Sequence, residues 1–245
     1  MGQRKQFKSW KDYYYPGTTV LVNRKNIHSQ IILDSAEKDF VALRMLELIK
    51  EPIKGLFDFD HLKKIHYYLF QDIYDWAGEV RRCEMSRDTV KEDGKVFAGT
   101  CFCFYQNIDG FANDIFTKLE KENYLLDYDY ETKINKLAQI YGDINAMHAF
   151  REGNGRAQRE FVEALARING LNLDITKIDK EDLKKAAFIS FYSNNEFLKI
   201  LFSNNVSEVD FDTQIKFINE NCESPLKERI ISSLYERKEN KHLGI

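Results

Sequence analysis

The chain has 245 residues, 43% of them hydrophobic, which is enough to bury a core in one domain or in one domain with a small appendage. Lys and Arg total 36 against 39 Asp and Glu, and the net charge of -3 argues against nucleic acid as a partner. No apolar run approaches the roughly 20 residues that span a bilayer, and the N-terminus carries no secretion or lipidation signal, so we expect a soluble protein without membrane attachment.

Cysteine usage indicates neither a zinc site nor a disulfide framework. No two cysteines form a CxxC pair, and no histidine spacing completes a metal-binding pattern. We expect free thiols and a cytoplasmic location, because disulfides are rare in that compartment. The four cysteines are Cys83, Cys101, Cys103 and Cys222.

Long stretches of the chain lack residues that end helices, because it holds only 3 prolines and 12 glycines. Apolar residues recur at helical spacing in several of these stretches, which predicts amphipathic helices and a mainly α fold. The predicted helices span residues 36–50, 60–74, 107–123 and 130–147, with shorter helical patterns over 182–187 and 191–202.

The helical period fails between residues 80 and 105. Shorter alternation and an Asp93-Gly94 turn signal replace it there, which predicts a β-hairpin or flap.

The chain also carries a candidate boundary near its C-terminus, at Asn204-Asn205. We predict one domain over residues 1–203 and a helical appendage over residues 204–245. The last helix of this appendage is predicted to open with Ser224 as its N-cap and Pro225 at its first helical position.

Residues 148–159, His-Ala-Phe-Arg-Glu-Gly-Asn-Gly-Arg-Ala-Gln-Arg, are typical of a phosphate-binding site. Gly153 and Gly155 bracket Asn154, so backbone N–H groups of this loop can approach an anion closely. A helix is predicted to begin at the loop, and its dipole favours negative charge at that end. Arg156 and Arg159 lie three residues apart on that helix and can each hold a phosphate of a polyphosphate.

Two neighbouring side chains could add chemistry to this anion site. Glu152 offers a carboxylate of the kind that holds Mg²⁺ together with substrate phosphates. His148 ends the preceding helix, where an imidazole could act as a general base near neutral pH.

The same stretch matches the signature of the Fic family, HxFx(D/E)GNGRxxR, at every fixed position. Ala149 departs from many members, which have Pro there, at a position that shapes only the turn. The resemblance extends from about residue 10 to about residue 200, with further similar stretches at residues 12–18, 57–70 and 74–81.

This resemblance implies a helical domain in which a β-hairpin flap covers the site. The residue matching His148 deprotonates a target hydroxyl, which attacks the α-phosphate of ATP and releases pyrophosphate. Glu152 helps to hold Mg²⁺, and the residues matching Gly153, Asn154 and Gly155 bind phosphate oxygens. Arg156 and Arg159 hold the β and γ phosphates. A target protein docks by main-chain pairing at the flap, which resembles its family counterpart around Phe102 and Cys103.

Many Fic proteins are similar in carrying an inhibitory helix with Ser or Thr followed, four residues later, by a Glu that pairs with the second motif Arg. Ser224 with Glu228 and Ser232 with Glu236 both fit this spacing in the last helix. We prefer Ser232 and Glu236 and expect an ion pair between Glu236 and Arg159. A plain solvated helix face explains the same pattern, and a separate antitoxin-like partner is an alternative source of inhibition.

Other functions fit parts of the pattern. The same site could transfer another group such as UMP, remove AMP, or bind the nucleotide in reverse as in kinase relatives of the Doc type, although those depart from the GNGR sequence. A nonenzymatic interaction module would be expected to have lost His148 or one of the arginines, and this chain keeps them.

Overall fold

A computed structural model describes Phe7 and residues 9–90 and 96–243. The mainly helical fold that the sequence predicts is confirmed in these residues. The helices are α1 (Gln30–Lys50), α2 (Phe59–Phe70), α3 (Ile108–Lys121), α4 (Tyr130–Met147), α5 (Asn154–Ile168), α6 (Lys180–Tyr192), α7 (Glu196–Ser203), α8 (Phe211–Asn221) and α9 (Leu226–Leu243). None of these helices is both long and apolar enough to cross a bilayer.

Helices α4 and α5 pack against each other at the centre of the molecule. Helix α5 also contacts α2 and α8, while α4 contacts α3, α6 and α7, so other helices surround the central pair. The buried side chains of α5 recur every three or four residues, which is the spacing that turns them all toward its neighbours. They include Ala157, Phe161, Val162, Leu165 and Ile168.

Helix α4 has the bounds predicted from its apolar stripe. Asp129 caps it, because the carboxylate accepts a hydrogen bond of 2.8 Å from the Thr132 N–H. The predicted helices 36–50, 60–74 and 107–123 are found with shifted ends, since α1 begins six residues earlier and α2 stops at Phe70.

A two-stranded antiparallel hairpin interrupts the helices, as predicted for residues 80–105. Strand β1 (Ser86–Val90) pairs with β2 (Val96–Cys101), with Ser86 opposite Cys101. The predicted Asp93-Gly94 turn lies outside the described residues. The chain leaving β2 is tied to the body of the molecule, because the Cys103 N–H donates to the Ala146 carbonyl of α4 at 3.0 Å.

The residues predicted as a C-terminal appendage pack into the same core as the rest. Strand β3 (Leu171–Leu173) pairs with β4 (Val206–Glu208), a pairing that the sequence analysis missed. Gly55 adds a second link, since its N–H donates to the Asn221 carbonyl at 3.0 Å. Ile218 of α8 and Ile230 of α9 are fully buried. Helix α9 begins at Leu226, one residue after the Pro225 start that the sequence predicted.

Ile218→Ala tests whether residues 204–243 unfold together with the central helices. Ile218 is 0% exposed, so we expect the substitution to lower the free energy of unfolding by about 2–5 kcal/mol, with one cooperative transition retained. Urea unfolding, monitored by circular dichroism, measures the free energy of unfolding and the number of transitions. Ile200→Ala is the control, because this isoleucine is 53% exposed and its loss should cost less than about 1 kcal/mol. A separate early transition in Ile218→Ala would instead indicate an independent C-terminal unit.

Candidate active site

The turn between α4 and α5 lines a cleft of about 850 Å³. The other walls come from the root of the hairpin and from α6. Five of the predicted site residues with functional side chains meet there: His148, Glu152, Arg156, Arg159 and the flap residue Phe102.

His148 ends α4 in the left-handed conformation, with φ 44° and ψ 57°. Its N–H still donates to the Ile144 carbonyl at 3.1 Å, so the helix is complete up to this residue. The imidazole stacks on the Phe102 ring with centroids 3.7 Å apart and planes 11° apart. A left-handed residue other than glycine is costly and persists only where its surroundings hold it. The stack holds the ring at the cleft wall.

Asn154 closes the turn with its side chain. The Oδ1 atom accepts from the Phe150 N–H at 2.8 Å, and the Nδ2 atom donates to the Phe150 carbonyl at 2.6 Å. These two bonds use the amide group within the turn. The phosphate contact expected of Asn154 is therefore restricted to its backbone N–H, which lies in the first turn of α5, where N–H groups lack helical acceptors.

The two glycines of the motif differ in whether the structure leaves space for a side chain. Gly153 has φ +80°, and a Cβ atom there would lie 2.2 Å from Cζ of Phe70, so both conformation and space require glycine. A Cβ atom on Gly155 would have no atom within 4 Å apart from its chain neighbours and the nearby backbone of its own helix. Gly155 is exposed and lines the cleft, so its backbone is open to a ligand. An open helix N-terminus of this kind can bind an anion.

Arg156 is already held in place. Its Nη1 atom lies 2.6 Å from Oε1 of Glu37 on α1, and its guanidinium lies over the Phe70 ring, 4.6 Å from the centroid. Its Nη2 atom lies 3.5 Å from Oε1 of Glu152. Arg159 lines the cleft one helical turn farther along α5.

Glu152 is the candidate metal ligand. Its side chain is 45% exposed in the cleft, and its Oε1 atom accepts from the Gly153 N–H at 3.0 Å. Within the described part of the chain, no group of three or more His, Cys, Asp and Glu side chains converges as a metal site. A half-exposed carboxylate in the cleft fits a magnesium ion held by one carboxylate together with ligand phosphates.

His66, to which the sequence analysis gave no role, fixes the motif turn from α2. Its Nδ1 atom accepts from the Gly78 N–H at 2.8 Å, so Nε2 carries the proton and donates to the Glu152 carbonyl at 2.8 Å. The ring stacks on Phe150 with centroids 3.8 Å apart. Burial lowers the pKa of His66 to about 3. A histidine on the apolar face of a predicted helix resembles any core residue, so no sequence signal distinguished it.

Arg81, also missed, joins the motif turn to the hairpin root. Its side chain is 1% exposed, and its Nε atom donates to the His148 carbonyl at 2.8 Å. Other nitrogens of the guanidinium donate to the carbonyls of Cys83 and Cys103. Backbone carbonyls thus satisfy a buried cation, and they fix His148 relative to the flap.

Arg151, at a variable position of the motif, is held by the N-terminal aromatic residues. Its guanidinium lies 3.9 Å from the Trp10 ring centroid, and its Nη2 atom donates to the Tyr14 hydroxyl at 2.6 Å. The aromatic cluster near the start of the chain therefore packs directly against the turn that carries the site.

The two predicted flap residues use their N–H groups within the protein. The Phe102 N–H donates to the Met85 carbonyl at 3.2 Å, and the Cys103 N–H donates to Ala146. A docked target strand could not pair with these two N–H groups without displacing existing bonds.

Helix α9 does not bring Ser232 or Glu236 to the cleft, so the predicted Glu236–Arg159 ion pair is wrong. Both residues are exposed, and neighbouring Arg237 donates to the Leu126 carbonyl and to Asp127. Those acceptors precede α4, whereas His148 lies at its other end. Helix α4 is about 27 Å long, with 18 residues at 1.5 Å per residue, so Arg237 is bonded at the opposite end of α4 from the motif turn. Arg159 lines the cleft and Glu236 does not.

Comparison with known sequences identifies relatives of this chain. The model of the Fic/DOC family matches residues 56–166. The probable protein adenylyltransferase Fic of Escherichia coli (strain K12) is 35% identical over 197 residues, which are 80% of this chain and 92% of that protein. The protein adenylyltransferase VbhT of Bartonella schoenbuchensis is 32% identical over 231 residues, which are 94% of this chain. The match spans only 45% of the length of VbhT.

Solved structures share the fold. BepC from Bartonella tribocorum, a VirB-translocated effector crystallised with AMPPNP, has a TM-score of 0.71 at 26% identity and covers 81% of this chain and 98% of its own. The N-terminal Fic domain of a putative cell filamentation protein from Bartonella quintana, with bound ADP, has a TM-score of 0.72 at 25% identity. It covers 81% of this chain and 96% of its own.

His66→Gln tests the neutral histidine behind the turn. The folded protein keeps this imidazole neutral down to about pH 3, whereas the unfolded chain takes up a proton below about pH 6.5. The contribution of His66 therefore destabilises the fold as the pH falls through this window, by up to about 1.4 kcal/mol per pH unit. We expect the unfolding free energy of His66→Gln to fall less steeply than that of the wild type.

Urea unfolding at pH 7, 6, 5 and 4 measures how the unfolding free energy of the wild type and of His66→Gln changes with pH. Buried His61, whose pKa is also lowered by burial, is present in both proteins, so their difference isolates His66. If the unfolding free energies of the two proteins fell equally with pH, the prediction that folded His66 stays neutral would be wrong.

Proposed function

Since the chain belongs to the Fic/DOC family, we propose that it transfers AMP from Mg-ATP to a hydroxyl side chain of another protein and releases pyrophosphate. One observation carries this proposal: the ring of His148, the open N-terminus of α5 and the side chains of two arginines line one cleft. A base beside a polyphosphate cradle is what nucleotidyl transfer requires. The relatives named protein adenylyltransferases support the same reaction.

His148 acts as the general base in this proposal. Its imidazole takes the proton of the target hydroxyl as the hydroxyl oxygen forms a bond to the α-phosphorus of ATP. The bond from that phosphorus to the bridging oxygen of the β-phosphate breaks, and pyrophosphate leaves. Stacking on Phe102 and the Arg81 bond to its carbonyl support this role, because a base must be held in a fixed orientation to be effective.

The cradle and the arginines stabilise the charge that develops on the phosphates. N–H groups of Asn154 and Gly155 and the dipole of α5 face the chain of phosphates, and Arg156 and Arg159 bind it farther along. These groups are fixed before the reaction, so they need little reorganisation as charge moves to the leaving pyrophosphate. Glu152 would hold the magnesium ion, which neutralises phosphate charge when bound.

Docking of the target beside the hairpin is part of the proposal. Strands β1 and β2 form a sheet of two strands, and Ser86 and Phe102 at its root line the cleft that contains His148. An extended segment added to an open edge of that sheet would bring its hydroxyl side chain to the base. The N–H groups of Phe102 and Cys103 already donate to carbonyls of the protein. We therefore propose that the target segment pairs with β1 or β2 and not with these two residues.

Labelled ATP tests the reaction directly. The wild type, His148→Ala and His28→Ala are incubated with Mg-ATP labelled at the α-phosphate and with a cell lysate, and labelled protein bands are quantified. We expect label with the wild type and a loss of about 10²–10⁴-fold in His148→Ala, because the base is removed. His28 is exposed and lies outside the cleft lining, so His28→Ala should keep full activity.

Parallel reactions define what is transferred. Label from γ-labelled ATP but not from α-labelled ATP would indicate phosphoryl transfer, and label only from another nucleotide would indicate a different transferred group. Either result would overturn the proposed AMP transfer.

A further inference from the structure

Helix α1 places one carboxylate against an arginine of the motif, although α1 precedes the segment that the family model matches. Glu37 lies near the middle of α1, and its Oε1 atom is 2.6 Å from Nη1 of Arg156. The side chain of Glu37 is 15% exposed and that of Arg156 is 24% exposed, so the pair is largely removed from water. Such a pair is less screened than a surface ion pair and depends on good geometry.

A buried tyrosine fixes the other oxygen of Glu37. The Tyr74 hydroxyl donates to Oε2 of Glu37. Tyr74 is 2% exposed, and its ring stacks on Trp76 with centroids 4.3 Å apart. Burial, together with the charge of Glu37, raises the pKa of Tyr74, so the hydroxyl keeps its proton and remains a donor. The carboxylate therefore has a fixed partner on each oxygen.

Arg156 has a competing partner on its own helix turn. Its Nη2 atom is 3.5 Å from Oε1 of Glu152, a longer and weaker contact than the one to Glu37. Glu152 is the residue that the proposed function needs as a magnesium ligand. Without Glu37, the Arg156 guanidinium could move closer to the Glu152 carboxylate, because Glu152 and Arg156 are four residues apart at the start of α5.

We propose that Glu37 is a positioning residue for nucleotide use at this site. It holds one edge of the Arg156 guanidinium while the Phe70 ring supports its face, which directs the remaining N–H groups to the cleft and limits the contact with Glu152 to a long one of 3.5 Å. This inference rests on the proposed function for the role of Arg156.

Glu47 provides a matched control on the same helix. Like Glu37, it pairs with an arginine, Arg44, at 2.9 Å and accepts from a tyrosine hydroxyl, Tyr68, at 2.8 Å. Neither Glu47 nor its partners line the cleft. Glu47→Ala therefore removes the same kinds of contact from α1 without affecting the motif.

The test compares Glu37→Ala, Glu37→Gln and Glu47→Ala with the wild type in two assays. One measures kcat and KM for ATP in AMP transfer over a range of magnesium concentrations. The other measures equilibrium binding of ATP, with and without magnesium, by calorimetry. Circular dichroism and urea unfolding give the folded fraction, to which all values are normalised.

We expect Glu37→Ala to lower kcat/KM for ATP by about tenfold and to require several-fold more magnesium for half-maximal activity. ATP binding should weaken mainly in the presence of magnesium, because Glu152 is then paired with Arg156. Glu37→Gln keeps an acceptor for Arg156 and should lose less than about threefold. Glu47→Ala should match the wild type in both assays.

Several results would overturn the proposal. If Glu37→Ala and Glu47→Ala gave the same values in both assays, Glu37 would only stabilise the packing of α1 against the core. A gain of activity or affinity in Glu37→Ala would mean that Glu37 competes with phosphate for Arg156. If the wild type transfers no AMP, the proposed function fails, and the binding assay still decides whether Glu37 positions Arg156.

Discussion

The bonds between the Asn154 side chain and the Phe150 backbone are the interaction on which the site depends. They close a turn that begins at left-handed His148, and a left-handed residue other than glycine is costly unless its surroundings hold it. Closing it brings the imidazole at the end of α4 and the open N-terminus of α5 to the same cleft. The imidazole of His148 and the N-terminus of α5 thus become neighbours through a few residues of backbone.

Other elements hold this turn in one conformation. His66 from α2, Arg81 from the segment before the hairpin and Arg151 within the turn each place a polar side chain where few waters reach, and each is hydrogen-bonded to protein groups. Burying polar groups is costly unless they are paired, so these contacts favour one arrangement over others. The turn is therefore held by contacts within the protein itself.

The C-terminal helix illustrates how a short pattern can mislead. Ser232 and Glu236 have the spacing of an inhibitory helix, but the same spacing describes the solvated side of any amphipathic helix. Leu226 and Ile230 bury the opposite side, and Arg237 anchors α9 beside the start of α4. These contacts place Glu236 outside the cleft that Arg159 lines, so the two residues form no ion pair in this structure. In the other pair with the same spacing, Ser224 donates to Glu228, and inhibition by a separate protein stays a prediction.

The sequence by itself determined the helices with strong apolar periodicity, the presence of a hairpin between residues 80 and 105 and the residues of the motif, because each depends on neighbours along the chain. The bounds of α4 and the glycines around Asn154 are examples. The pairing of β3 with β4, the location of α9 and the approach of Glu37 to Arg156 were decided only by the tertiary structure. Those contacts join segments far apart in the chain, and their formation depends on how the whole core packs rather than on any local preference.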